Sequence, residues 1–168
     1  MKRLFIGLLF CAAATAQRPI DNLMPLPESI SVSGGRLVID GSFAVSIAGH
    51  DEPRIRAAAA RLVERLTRKT GIPFRSGIGS GGVATLVLEC ERASLPVQEI
   101  GEDESYSLDV TSSGARLRAP LPLGLLRGIE TFLQLARLDE QGFAIPAVSI
   151  RDRPRFPWRG LLIVTCGS

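Results

Sequence analysis

Apolar side chains at Ile55, Ala58, Ala59, Leu62, Val63 and Leu66 recur with the 3.6-residue period of a helix that is apolar along one stripe only, while Arg54, Arg61, Glu64, Arg65 and Arg68 take the other face. Asp51 is placed to cap this helix, Pro53 suits its first turn, and Gly71 followed by Pro73 ends it. Leu125, Ile129, Phe132, Leu133 and Ala136 mark a second helix with one buried stripe. Helices of this kind need something to cover, and the only partner the rest of the chain can build is a sheet.

The strand signals are short and frequent. Ile30 and Val32 alternate with serines, Gly34-Gly35 is expected to turn the chain, and residues 43–47 form the next strand. Residues 83–88 are apolar except for Thr85, as in a strand buried on both faces. Tyr106, Leu108 and Val110 alternate with Ser107 and Asp109, and Ala115, Leu117 and Ala119 with Arg116 and Arg118. The Ser112-Ser113-Gly114 turn between them makes a hairpin, and residues 143–150 form a last strand. The order predicts an α/β (α+β) sandwich, a mostly antiparallel or mixed sheet with two helices on one face.

The first 16 residues read as a secretory signal peptide: Lys2 and Arg3, then an apolar stretch over residues 4–13, then Ala14-Thr15-Ala16 as cleavage signal. This predicts an exported protein, periplasmic or extracellular. No other segment is long and apolar enough to span a membrane. Without Lys2 and Arg3, 18 basic residues face 17 acidic ones, so the charge argues against a nucleic-acid partner. Loss of the leader also removes Cys11 and leaves Cys90 and Cys166, which read as two separate buried thiols more readily than as a disulfide.

Few motifs carry chemistry. Gly77, Gly79 and Gly82 satisfy G-x-G-x-x-G, but a helix precedes them and a strand follows, the reverse of a dinucleotide site. His50 is the one histidine, lies in a polar turn and reads as a surface residue; no metal site and no cofactor are implied. Glu102, Asp103 and Glu104 read as a solvated turn, because neighbours on an extended segment point in opposite directions. Arg153, Arg155, Trp158 and Arg159 crowd around Pro154 and Pro157; their forks and flat face suit a sugar, and they suit an interdomain linker equally well.

The stretches MPLPESISV from Met24, DESYSLDV with GARLRAPLPLGLLRGIETFLQL, and IPAVSIRDRPRFPWRGLLI resemble the family 20 glycoside hydrolases, the β-N-acetylhexosaminidases, over residues 23–163. After the signal peptide at 1–16, the resemblance implies that family's N-terminal α/β domain at 17–152, and at 153–168 a linker and the first strand of a truncated (β/α)8 catalytic barrel. It implies cleavage of terminal N-acetylglucosamine or N-acetylgalactosamine from glycans, with the sugar's own acetamide as nucleophile. It assigns Arg159 to binding the terminal sugar. The Asp-Glu pair that works with the acetamide belongs to the barrel and is not in this chain, which is therefore expected to be inactive alone. Where the family continues its first barrel strand with an Asp and an Arg-His pair, the chain has Val164, Thr165, Cys166, Gly167 and Ser168, as an interrupted frame, a premature end or a partial gene would give. The other reading is an exported module that binds glycans or a protein without catalysis.

Overall fold

A computed structural model describes residues 20, 23–75, 78–79, 84–97 and 99–156. Eight strands and two helices follow in order: β1 Ser29–Val38, β2 Val45–Gly49, α1 Pro53–Thr70, β3 Ile78–Gly79, β4 Leu86–Cys90, β5 Tyr106–Thr111, β6 Gly114–Ala119, α2 Pro122–Leu135, β7 Arg137–Asp139 and β8 Gly142–Asp152. They form one mixed sheet in the order β1-β8-β5-β6-β4-β2-β3, with β7 beside β8. β2, β4 and β6 run parallel, and β5 pairs antiparallel with both β6 and β8. Each helix thus serves as the crossover between two strands of one direction, α1 from β2 to β4 and α2 from β6 to β8.

Both helices lie on the same face. Arg65 of α1 pairs with Glu130 of α2, and one turn later Lys69 Nζ donates to the Leu133 carbonyl at 2.8 Å, so the two run side by side in the same direction. Their stripes meet Leu88, Leu108, Leu117 and Ile150 from the sheet, all fully buried. Phe43 closes the core between Phe74 and Phe132, at ring distances of 5.2 and 6.2 Å. The opposite face is polar: Glu89 accepts from Arg116 at 2.8 Å and Arg118 at 3.2 Å, and Ser149 donates to Asp109 at 2.7 Å. One apolar and one charged face per strand is what the alternation in 106–119 encodes.

Four local expectations are corrected. The strand expected over residues 83–88 and buried on both faces is β4, Leu86–Cys90, buried at alternate residues only, with Glu89 on the polar face. Gly34-Gly35 does not turn the chain back. β1 runs straight through, and pairing to β8 shifts between Val32 and Arg36 as a bulge in which Gly35 takes φ +105°. The bulge faces Pro146, which lies where β8 is paired on one side only, since β7 reaches Ala144 and β5 begins at Ser149. The N-cap of α1 is Glu52 rather than Asp51; neither side chain closes the cap, because Asp51 is held by Arg56 at 2.8 Å and Glu52 by Ser94. Glu102 is not solvated: it is 9% exposed, and its carboxylate has no hydrogen-bond partner among the described residues.

Gly71 ends α1 as expected, at φ +71° with its N–H on the Thr67 carbonyl. Among the described residues no helix is long and apolar enough to cross a membrane. The expected leader at 1–16, Cys166 and the expected start of a barrel strand lie outside the described residues.

Candidate functional site

The two ends of the described chain come together at one end of the sheet. The leading segment is pinned by α2: Met24 N–H donates to Gln134 Oε1 at 2.8 Å, and Gln134 Nε2 donates back to the Met24 carbonyl at 3.1 Å. A few residues on, Glu28 N–H donates to Asp152 at the end of β8 at 3.1 Å, and Arg153 ion-pairs with the Glu28 carboxylate at 3.0 Å. Between these anchors lies a groove of about 530 Å³ lined by Met24, Leu26, Tyr106, Thr131, Arg155 and Phe156 among others. Its rim is apolar and open: Met24 is 82% exposed, Leu26 59% and Phe156 71%.

The floor of the groove is inert. Tyr106 is buried, its hydroxyl 2.6 Å from Thr131 Oγ1, and burial with the charge of Asp152 nearby pushes its pKa up to about 12, so it stays a neutral phenol. Glu104 accepts from Arg127 at 2.6 Å. Every carboxylate lining the groove thus already has an arginine or backbone partner: Arg127 for Glu104, Arg65 for Glu130 and the Glu28 N–H for Asp152. The arrangement suits the seating of further polypeptide on an apolar rim more than bond cleavage.

Elsewhere, the sequence candidates fall apart. His50 Nε2 lies 3.3 Å from Glu52, and Ser94 donates both its hydroxyl, at 2.5 Å, and its N–H, at 3.1 Å, to the same carboxylate. The serine proton is therefore committed to Glu52 and not to His50, the wrong order for an activated nucleophile. These bonds to Ser94 and His50 hold the Glu52 carboxyl below its ordinary value even against desolvation. Cys90 is fully buried with its thiol on the Arg92 carbonyl at 3.2 Å, and burial pushes its pKa up, the opposite of a reactive thiolate. Of the glycine motif, Gly79 sits in the two-residue β3; Gly77 and Gly82 lie outside the described residues. Among the described residues no three of His, Cys, Asp and Glu gather as metal ligands. Arg153 and Arg155 are placed at the groove, whereas Trp158 and Arg159 lie outside the described residues. The Gln134 clamp was missed because a helix-face glutamine gives no sequence signal of a partner 110 residues away.

The model of "Glycosyl hydrolase family 20, domain 2" matches residues 21–153. The chain is 31% identical to beta-hexosaminidase subunit A1 of Dictyostelium discoideum, over 95% of this chain and 29% of that protein. To beta-hexosaminidase 1 of Arabidopsis thaliana it is 30% identical, over 96% of this chain and 34% of that one. Among solved structures, the chitobiase of Flavobacterium johnsoniae superposes with a TM-score of 0.80 at 37% identity, covering 88% of this chain and 23% of that chain. The N-acetyl-beta-hexosaminidase of Streptomyces plicatus gives 0.67 at 26%, covering 84% and 28%. The chain thus spans about a third or less of the proteins it matches. Its sheet, helices and sequence agree with these relatives from the leading segment to the end of β8: the chain belongs to glycosyl hydrolase family 20, as that family's domain 2.

Proposed function

We propose that this chain is the N-terminal, non-catalytic part of an exported β-N-acetylhexosaminidase that removes terminal N-acetylglucosamine or N-acetylgalactosamine from glycans by substrate-assisted, retaining catalysis. The reading rests on one observation: an apolar-rimmed groove opens where the chain leaves β8, in a domain whose relatives are several times longer. In this reading residues 153–168 lead into the catalytic barrel, Arg159 binds the terminal sugar there, and residues 1–16 direct export. The acid that protonates the leaving oxygen then lies in the barrel, and the 168 residues alone do not turn over. Fold likeness alone would not carry an activity; the names of the relatives support it.

The test is release of p-nitrophenol from its N-acetyl-β-glucosaminide, measured for the 168-residue chain and for any longer product encoded through and beyond the codon of Ser168. Turnover only by the longer product supports the proposal. Turnover by the short chain sinks the assignment of the acid to a barrel. Sugar binding by the short chain, with no active longer product, would instead make it a stand-alone binding module.

A further inference from the structure

We propose that the connection from β4 to β5 seats the chain's own exit segment, residues 157–164, on a strip made by Leu95, Val97 and Ile100. All three side chains are exposed. With Met24, Leu26 and Phe156 they put six of the ten exposed large apolar residues, counted among the described residues, at one end of the sheet. It is the end at which the chain leaves β8.

The strip is held out by a fastened connection. The Glu91 and Arg92 N–H groups donate to the Ala119 and Pro120 carbonyls, both at 3.1 Å. Ser94 is bonded twice to Glu52. Further along, Glu102 N–H donates to the Glu99 carbonyl at 3.3 Å, and Ser105 N–H to Asp103 at 2.9 Å. Such a connection has little freedom to turn Leu95, Val97 and Ile100 inward, so their cover comes from outside it.

Register selects the occupant. The pairs between β5 and β8 keep one antiparallel register from Asp109↔Ser149 to Tyr106↔Asp152, where the connection ends and the exit begins. The two segments therefore set out side by side, about 5 Å apart. They are still together at the groove, which Glu104 lines along with Pro154, Arg155 and Phe156. Counted outward in the same register, Arg155 comes level with Asp103, Trp158 with Ile100, Leu161 with Val97 and Ile163 with Leu95. Base is level with acid, and apolar with apolar. The turn at Glu99 to Glu102, with Gly101 at φ +94°, interrupts a regular ladder, so the match lies in the order of side chains along two neighbouring segments. Net charge agrees: residues 91–104 carry five acids and one base, and residues 151–159 carry four arginines and one acid. Eight extended residues reach roughly 26 Å, enough to run the length of the strip. The seat requires no catalysis and stands apart from the activity proposed above.

Trp158 is the single tryptophan of the chain and reports on the segment directly. The probe is acrylamide quenching of its fluorescence in the 168-residue chain. We expect Trp158 to be shielded relative to free N-acetyltryptophanamide. The double substitution Val97→Ser and Ile100→Ser should raise the quenching constant roughly two- to threefold, because it removes the apolar contact that holds the segment. Both positions are exposed, and an unchanged urea midpoint confirms that the domain still folds. A control pair, Val32→Ser and Leu138→Ser, removes exposed apolar side chains from β1 and β7 and should leave quenching as it is. Quenching of the wild type as free as that of the amide, or an equal rise in the control, overturns the proposal. So does a rise confined to Met24→Ser with Leu26→Ser, which would put the segment in the groove instead. A quenching constant that rises on dilution would mean that a second copy supplies the cover, and overturns it as well. Turnover by a longer product, or its absence, leaves each of these outcomes unchanged.

Discussion

Gln134 holds Met24 as a neighbouring strand would, donating to its carbonyl and accepting from its N–H, although 110 residues separate them. The pair is exposed, so each bond contributes about 0.5–1.5 kcal/mol rather than its full vacuum strength. The segment it pins is the one whose Met24 and Leu26 form the open rim of the groove. Gln134→Ala is therefore expected to release the leading segment locally and leave the core intact. Amide exchange at Met24 should speed up roughly tenfold, the equivalent of about 1.4 kcal/mol, with exchange in β4 and β6 unchanged. A global loss of protection would mean that the clamp holds the whole domain.

Gly128 shows two effects of opposite sign. An alanine in a helix interior is worth about 1 kcal/mol more than glycine. Here, however, a Cβ would lie 2.2 Å from Leu117 Cδ1 and 2.9 Å from Tyr106 Cδ2, so α2 sits directly on the β5–β6 hairpin. Overpacking of that kind costs about 1–3 kcal/mol, and both neighbours are buried. Gly128→Ala should lower the urea midpoint, with a net loss of up to about 2 kcal/mol. A rise in the midpoint would show that the hairpin yields and that helix propensity wins.

Both helices and the hairpin were legible because their apolar spacing is regular and each element buries one side only; Leu62, Leu66, Leu108 and Leu117 all lie where the spacing puts them. What the spacing could not tell is how strands far apart in the chain pair. Gly34-Gly35 has the composition of a turn, and it is the pairing of both Val32 and Arg36 with β8 that makes it a bulge. Glu102 reads as solvent-facing from its acidic neighbours, and only tertiary packing buries it. The groove is made by residues from three distant stretches, around 24–26, 104–106 and 127–134, together with the exit at 152–156, so no local pattern announces it. The arginines of α1 were legible as a face, but the pairing of Arg65 with Glu130 depends on the two helices lying side by side.

Tyr106 supplies the alkaline limit of the fold. Its pKa rises from 10.0 to about 12 because burial disfavours the phenolate. A group held more tightly protonated in the folded state contributes stability that is complete below the unfolded pKa and is lost as pH rises through the folded one. The window therefore runs from about pH 10 to about pH 12, and the loss is about 2 kcal/mol. Two other groups are shifted on the alkaline side, with opposite effects. Cys90, raised by burial, loses stability in the same direction, whereas Lys69, lowered by desolvation and by Arg137 and Arg65, favours the fold as it deprotonates. Comparison of the wild type with Tyr106→Phe cancels both. The substitution leaves the Thr131 hydroxyl without its partner and costs about 1 kcal/mol at neutral pH, yet it should flatten the decline between pH 10 and 12. Tyr106 is the single tyrosine of the chain, so tyrosinate absorbance follows its ionisation directly. An apparent pKa near 10 in the folded protein, or an equal alkaline loss in the phenylalanine variant, would show that the ring is not sealed between β5 and α2.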